Sequence, residues 1–533
     1  MVCRTGRDTE LGGISDTLLA EAPPTAFEQG IRHFGLLIMR MTILLVLFVL
    51  LVNAFFHRPW LESFLFAVAL AVGLTPELLP MVVSVTLSRG ALRMAANKVI
   101  VKRLAAIQNL GSMDVFCTDK TGTLTEARIH LERHVDPLGR ESARVLELAY
   151  LNSFFETGLK SPLDDAILEH REIDASGWRK IDEVPFDFER RRVSVLLENG
   201  STRLIVVKGA PEDILSLSVN YEADGEADPH PLDEVSRERI NGQYEELSKE
   251  GFRVLGIASR QVGMDHMHAA VSDETELLFA GYAAFLDPPK ESARTALAGL
   301  AADRVAVKVV TGDNEPVARH VCAQLGLHVT GALTGTEIQH LDDQALMARV
   351  DEVNIFCRMT PAQKNRVILA LKRRGHVVGY LGDGINDAPP LHSADVGISV
   401  DSAVDVAKSA ADMILMKQDL GILHAGVLEG RRTFGNIMKY IMMGTSSNFG
   451  NMFSMAGGSL FLPFLPMLPV QILLNNLLYD VSELPIPLDR VDDDYLNHPK
   501  NWDMNFIRNF MLIIGPISSI FDFLTFYVML AVF

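Results

Sequence analysis

Cys117-Thr118-Asp119-Lys120-Thr121-Gly122-Thr123-Leu124-Thr125 is the stretch on which the reading of this chain turns. A short apolar, β-branched run ends on an acid, and a lysine and small hydroxyl residues follow at once. An Asp at a strand end is a candidate nucleophile. Exposed backbone N–H groups and Thr hydroxyls suit a phosphoryl group, and Lys120 supplies positive charge. Two further turns share this character. Thr311-Gly312-Asp313-Asn314 follows the run 305–310, and Gly382-Asp383-Gly384-Ile385-Asn386-Asp387-Ala388-Pro389 follows the run 377–381. Both lead into helical patterns, which predicts parallel strands with active loops at their carboxyl ends. The paired carboxylates of the third turn suit Mg²⁺, which prefers oxygen ligands and keeps waters and substrate phosphate in its shell.

The 533 residues are enough for several folding units with a large buried core. Asp+Glu number 67 against 49 Lys+Arg, a formal net charge of −18, which argues against a nucleic-acid partner. Cys3, Cys117, Cys322 and Cys357 are scattered. They make neither a disulfide framework nor a CxxC metal site, and they suit a reducing compartment. A bilayer-spanning helix needs about 20 mostly apolar residues. Such stretches cluster towards the two ends, at 34–56, 60–87, 434–462, 465–488 and 506–533, so five spans are expected. Residues 43–52 carry no polar side chain, which favours lipid over a soluble core. The first 30 residues lack the apolar core of a signal peptide.

Arg89, Arg93, Lys98, Lys102 and Arg103 follow the second stretch, and Lys417, Arg431 and Arg432 precede the third. Basic junctions place the intervening residues in the cytoplasm. Within that insertion, Gly200, Gly209, Gly225, Pro229 and Pro231 punctuate short elements. Residues 136–285 therefore read as a second domain set into the first.

The second apolar stretch contains Gly73-Leu74-Thr75-Pro76-Glu77-Leu78-Leu79-Pro80. Each proline removes an N–H and clashes with the carbonyl four residues back, so the carbonyls of Val72 and Pro76 are expected to be freed. Broken backbone at membrane depth survives only in protein or beside a polar cavity, and an ionisable residue there is a functional candidate. Glu77 sits at the break. Asn475 neighbours a face formed by Asn476, Asp480 and Glu483 at i, i+4, i+7. Asn448 and Asn451 lie at i, i+3 in the preceding stretch. Acid and amide oxygens from three helices suit a hard cation.

The three turns, in this order and rough spacing, resemble the signatures of the P-type ATPases, and the resemblance covers nearly the whole chain. It implies an α-helical transmembrane bundle with a cytoplasmic α/β haloacid-dehalogenase-like phosphorylation domain and an inserted α+β nucleotide-binding domain. Asp119 then looks like the aspartyl-phosphate site, and Thr121 (through its carbonyl), Asp383 and Asp387 resemble the holders of a catalytic Mg²⁺. Lys364, in Met359-Thr360-Pro361-Ala362-Gln363-Lys364, resembles the lysine that neutralises the transferring phosphoryl group. Asp313, Asn386 and Asp387 match hinge motifs, and Thr311, Gly312, Asp313 and Asn386 are expected on the nucleotide. Lys208-Gly209-Ala210-Pro211-Glu212 resembles a nucleotide-site motif, with Phe186 expected to stack on adenine and Arg191 and Arg253 to meet the phosphates of ATP.

Pro76-Glu77-Leu78-Leu79-Pro80 and Leu474-Asn475-Asn476-Leu477-Leu478-Tyr479-Asp480 most resemble bacterial magnesium-transporting P-type ATPases, with Glu77, Asn476 and Asp480 on the transported divalent cation. The implied setting is a multi-pass protein of the bacterial plasma membrane, with lipid and cation as its partners and no obligate protein partner. The implied division is 1–32 as the tail of an actuator domain and linker, 33–88 as two spans, 89–135 and 286–430 as phosphorylation domain, 136–285 as nucleotide-binding domain and 431–533 as three spans. Complete pumps carry a TGES-type loop that finds no match here, and the chain ends within an apolar run. A piece of a longer pump is therefore expected. Other readings of the same residues are a membrane-anchored nucleotide-binding module without transport, a pump for another divalent cation such as calcium, and a phosphatase.

Overall fold

The computed structural model describes residues 5–6, 9, 12, 23–120, 122–126, 128–158, 160–187, 190–223 and 228–532. Two eight-stranded sheets carry the polar part. In the first the spatial order is Val99–Val101, Met413–Leu415, Val396–Val400, Val378–Leu381, Val115–Thr118, Ala306–Val310, Ile355–Cys357 and Ala332–Thr334. All pairs are parallel except Val99–Val101 with Met413–Leu415. Its strands are short and bury nearly every side chain, as a sheet covered on both faces requires. The three strands expected from the sequence form its centre. Val115–Thr118 lies between Val378–Leu381 and Ala306–Val310, so the three acidic turns emerge side by side.

The second sheet is mainly antiparallel and draws its strands from His130–Val135 through Leu277–Leu286, between the first two central strands of the parallel sheet in sequence. Arg192–Asn199, Thr202–Gly209 and Arg253–Val262 form its middle. Helix Ala143–Phe155 covers one face and helix Glu234–Lys249 the other, each over its own apolar core.

Among the described residues, three helical stretches are long and apolar enough to cross a membrane: Ala26–Phe55, Trp60–Ala96 and Met504–Val532. The second is broken, as the prolines predict, into Trp60–Leu74 and Leu79–Ala96. The freed carbonyls are recaptured, however. Thr75 N donates to Val72 O at 3.0 Å and Leu79 N to Pro76 O at 3.3 Å, because the chain tightens into three-residue turns on both sides of Glu77.

The other two expected spans take different forms. Residues 434–462 are the distal part of a 42-residue helix, Leu420–Phe461, whose Gly, Ser and Asn residues leave it less apolar than a lipid-facing span. It packs instead against Met504–Val532, where an added Cβ on Gly450 would lie 2.6 Å from Gly515 O. Residues 465–488 contain the 15-residue helix Pro469–Glu483, about 22 Å long, and a 3₁₀ turn at Ile486–Leu488, because Pro469 starts the helix late and Pro485 follows its end.

The polar and apolar parts meet where helix Ala105–Ser112 crosses Leu420–Phe461. An added Cβ on Gly111 would lie 2.3 Å from Gly430 C, so the two backbones touch with no side chain between them. Two residues separate Ala105–Ser112 from Val115–Thr118, the strand that Asp119 follows. Thr334-Gly335-Thr336-Glu337 is a helix start: Thr334 and Glu337 cap Gly335–His340 reciprocally.

His376 ties the edge of this strand to a neighbouring loop. Its Nδ1 lies 2.8 Å from Asp114 Oδ2 and its Nε2 3.1 Å from Asp351 Oδ1. The hydrogen bond to Asp114 raises its pKa above the ordinary 6.5, with burial opposing. A raised folded value means that the stabilisation is complete below 6.5 and is lost as pH climbs through that raised value. His376→Asn should therefore lower the unfolding midpoint clearly in mildly acidic buffer and little in alkaline buffer; equal losses at both would reject the charged bridge.

Candidate functional site

A cavity of about 920 Å³ runs from the second sheet to the carboxyl ends of the first. Phe186, Arg191, Lys208, Gly209 and Arg253 line one part, and Asp119, Thr311, Gly312, Asp313, Lys364 and Asn386 line the other. Eleven residues singled out from the sequence thus share one space.

At the deep end, Asp119 follows the last residue of Val115–Thr118. Its Oδ1 accepts from Lys120 N at 2.6 Å and its Oδ2 from Lys364 Nζ at 2.8 Å. Lys364 lies in the first turn of helix Pro361–Arg373, which Thr360 caps together with Gln363. The same ammonium donates to Asp387 Oδ1 at 2.8 Å. Tyr380 Oη donates to that oxygen at 2.7 Å, while Asp387 Oδ2 accepts from the N–H groups of Asp383 and Gly384. Asp387 is thereby occupied with Lys364 and the turn, whereas Asp119 and Asp313 line the cleft and Asp383 is half-buried beside them.

Burial raises the pKa of Asp119; Lys364 opposes this, and Asp387 and Asp313 add to it. Burial opposes the charge on Lys364 but Asp119 and Asp387 outweigh it, so its pKa is raised. Asp383 is pushed up to about 6, first by burial, then by Asp387 and Asp119. For Asp313 the order of forces reverses. Burial pushes it up, yet Lys120 at 2.5 Å and then Arg253 at 4.0 Å hold it below the ordinary value. Thr311 is buried and its Oγ1 accepts from Asp313 N at 3.2 Å. Thr121 lies outside the described residues. Among the described residues no three His, Cys, Asp or Glu side chains form a metal-binding group.

At the other end, Phe186 sits on the edge strand Arg179–Asp187 with 49% of its surface exposed. Lys208 is buried against Asp164, donates to Ser153 Oγ at 2.8 Å and lies 3.7 Å from Glu156. Gly209 has no room for a side chain: an added Cβ would lie 2.5 Å from Arg192 Cβ and 2.7 Å from Arg191 O. Arg191 pairs with Asp213 at 2.9 Å.

Several lining residues escape a sequence reading. Arg358 reaches Glu212 at 2.5 Å, and Asn314 Nδ2 donates to Tyr244 Oη at 3.2 Å, so both clamp one sheet to the other. Glu156 and Asp164 also line the cavity, and Tyr380 lies behind it on Asp387. Glu212, inside the Lys208–Glu212 motif, and Asn314, inside the second acidic turn, had a local signal.

A second acidic group lies among the apolar helices. Asn476, Asp480 and Glu483 share the buried face of Pro469–Glu483. Asn448 is buried on Leu420–Phe461, with Asn451 half-buried. Glu77 is exposed on the turn at the helix break, within electrostatic range of Asp480. Trp60–Leu74 packs on Pro469–Glu483 beside it.

Comparison with known proteins adds the family. The profile described as "P-type ATPase, cytoplasmic domain N" matches residues 151–292, and "Cation transporting ATPase, C-terminus" matches 464–533. "Magnesium-transporting ATPase, P-type 1" of Escherichia coli K12 is 48% identical over 100% of this chain and 60% of its own length. The protein of that name from Salmonella typhimurium 14028s is 47% identical with the same coverage. "Calcium-transporting ATPase 1" of Schizosaccharomyces pombe is 31% identical over 94% of this chain and 60% of its own length. The chain spans about 60% of the length of these curated relatives. It carries P-type ATPase domains at residues 151–292 and 464–533, is similar to P-type ATPases along its whole length, and belongs to the P-type ATPase family.

Proposed function

We propose that this chain is part of an ATP-driven cation pump that works through an aspartyl-phosphate on Asp119 and imports magnesium across the bacterial plasma membrane. The observation that carries the reading is the single cavity that joins Phe186, Lys208 and Arg191 to Asp119 and Lys364. Relatives at 47–48% identity that are named magnesium-transporting support the choice of ion over calcium, whose transporter is 31% identical.

Residues 89–135 and 286–430 form the haloacid-dehalogenase-like phosphorylation domain and 136–285 the inserted nucleotide-binding domain. The interruption of one sheet by the other in sequence supports this division. Residues 33–88 and 431–533 supply the membrane helices, and 1–32 the end of an actuator domain and its linker.

ATP lies with its adenine on Phe186 and its phosphates directed by Lys208, Arg191, Arg253 and the backbone at Gly209. A carboxylate oxygen of Asp119 attacks the γ-phosphorus. The new P–O bond forms as the bond to the bridging β,γ-oxygen breaks, and ADP leaves with that electron pair. Such a transfer needs positioning and charge neutralisation more than covalent help. Lys364, 2.8 Å from Asp119, supplies the charge, and Asp387 with Tyr380 holds it there. Asp313 fixes Lys120 beside the turn, and Thr311, Gly312 and Asn386 shape its wall.

The carboxylates suit a catalytic Mg²⁺: Asp119 and Asp383 are oxygen donors, and Asp383 is pushed up to about 6 by burial beside two carboxylates, an excess of negative charge that a cation relieves. Asp119, Asp383 and the carbonyl of Thr121 would hold the ion, which when bound neutralises the phosphoryl oxygens. Glu77, Asn476 and Asp480 would bind the transported cation.

Incubation with ATP carrying labelled γ-phosphate should give acid-stable label on the intact protein and none on Asp119→Asn; label persisting on the variant would reject the nucleophile. Phe186→Ala should weaken nucleotide binding about tenfold, the size of a lost aromatic contact of about 1.4 kcal/mol, without lowering the thermal midpoint. Glu77→Ala and Asp480→Ala should each abolish stimulation of ATP hydrolysis by Mg²⁺ across a panel of divalent cations while leaving nucleotide binding intact. Unchanged stimulation in both removes the membrane site.

A further inference from the structure

The membrane-embedded acids hold more unsatisfied oxygens than one carboxylate–amide pair accounts for. Asp480 Oδ1, Glu483 Oε1 and Tyr440 Oη are all buried and accept or donate no hydrogen bond. Asp480, Glu483 and Tyr440 are 3%, 2% and 1% exposed, and the charges of both acids act on the Tyr440 ring oxygen. Among the described residues no Lys, Arg or His forms an ion pair with Asp480 or Glu483. Tyr479 hydrogen-bonds Glu483, but Glu483 Oε1 and Asp480 Oδ1 stay unpaired, and a buried carboxylate oxygen left this way is costly and marks a place that something else fills.

Glu483 has a setting of its own. It stands one turn beyond Asp480, at the end of Pro469–Glu483 that lies toward the sheets. Its carboxylate is accommodated by Gly444: an added Cβ there would come within 3.2 Å of Oε2 and 3.3 Å of Oε1. Gly444 and Tyr440 are one turn apart on Leu420–Phe461, so Tyr440 Oη closes the same space from the side of the sheets. The helix that bears Glu483 ends there. Tyr479 O and Val481 O are taken by Ser482 Oγ and Leu484 N, and the helix dipole puts its negative end beside Glu483. Carboxylate and phenol oxygens, with no nitrogen or sulfur, form a donor set for a hard divalent cation.

We propose that Glu483 and Tyr440, packed over Gly444, form a second cation subsite, distinct from the one at Glu77, Asn476 and Asp480 and one helical turn nearer the sheets. It rests on the transport reading above and extends it: the ion passes through two stations in series, and Glu483 is a ligand of the second.

The test is a count of bound Mn²⁺, followed by electron paramagnetic resonance of the free ion, on the full chain in lipid nanodiscs without ATP. A fluorescent nucleotide reports on the intact cleft in parallel. Glu483→Gln should lose one bound ion, Asp480→Asn a different one, and the double variant both. Tyr440→Phe, which keeps the packing, should weaken the Glu483-dependent ion about threefold to tenfold. If the double variant loses no more than either single, both acids share one ion and the second subsite is overturned. An unchanged count in Glu483→Gln and Tyr440→Phe, with loss in Asp480→Asn, overturns the subsite and leaves the transport reading standing. No loss in any variant overturns both.

Discussion

Lys364 Nζ sits 2.8 Å from Asp119 and 2.8 Å from Asp387, and almost none of it reaches solvent. Taking an ammonium and two carboxylates out of water is costly, and mutual attraction compensates only when the geometry is good and the remaining oxygens are hydrogen-bonded. Tyr380 and two backbone N–H groups meet that condition for Asp387. Asp119 is left with one N–H, from Lys120, and faces open space. The cluster is therefore satisfied on its structural side and unsatisfied on the side that meets the cleft. This asymmetry demands adjacent strands, because only neighbours can bring the three turns within reach of one lysine.

The same logic separates the two lysines of the site. Lys120 follows Asp119 directly yet is committed to Asp313 at 2.5 Å. Lys364, remote in sequence, is the one that meets the nucleophile. Across the cleft, Arg253 and Arg358 each bridge from one sheet to the other. The bridging side chains are about half exposed, so they join the two sheets through weak, solvent-screened pairs. A cleft closed in this manner can open without breaking a core.

Much of this was legible in the residues. Each acidic turn announced itself locally, since a β-branched run, a Gly and an Asp in succession make a strand end; the strands begin within one residue of the expected runs. The helix break at Pro76 and the buried face of Asn476, Asp480 and Glu483 follow from proline chemistry and helical period. Other features depend on partners far along the chain. No spacing rule pairs Arg358 with Glu212 or Tyr380 with Asp387. Residues 434–462 are shaped by helix packing, which composition does not show: Gly450 on Leu420–Phe461 meets the backbone of Gly515 on Met504–Val532, so one helix covers the other. The recaptured carbonyls at Val72 and Pro76 show that a proline break can heal by tightening, which removes them as unpaired groups but leaves Glu77 displayed on the turn.

The contact of Gly111 with Gly430 gives the long helix a fulcrum. The backbones touch there, so no side chain can absorb relative sliding, and the strand that bears Asp119 starts three residues beyond Ser112. From Gly430 to Gly444 the helix extends about 21 Å at 1.5 Å per residue. A tilt of about 5° at the crossing would carry Gly444, and with it the room for the Glu483 carboxylate, sideways by about 2 Å at the end of that arm. That displacement is comparable to a metal–oxygen bond, so a small rotation beside the nucleophile is enough leverage to make or unmake a coordination shell in the lipid.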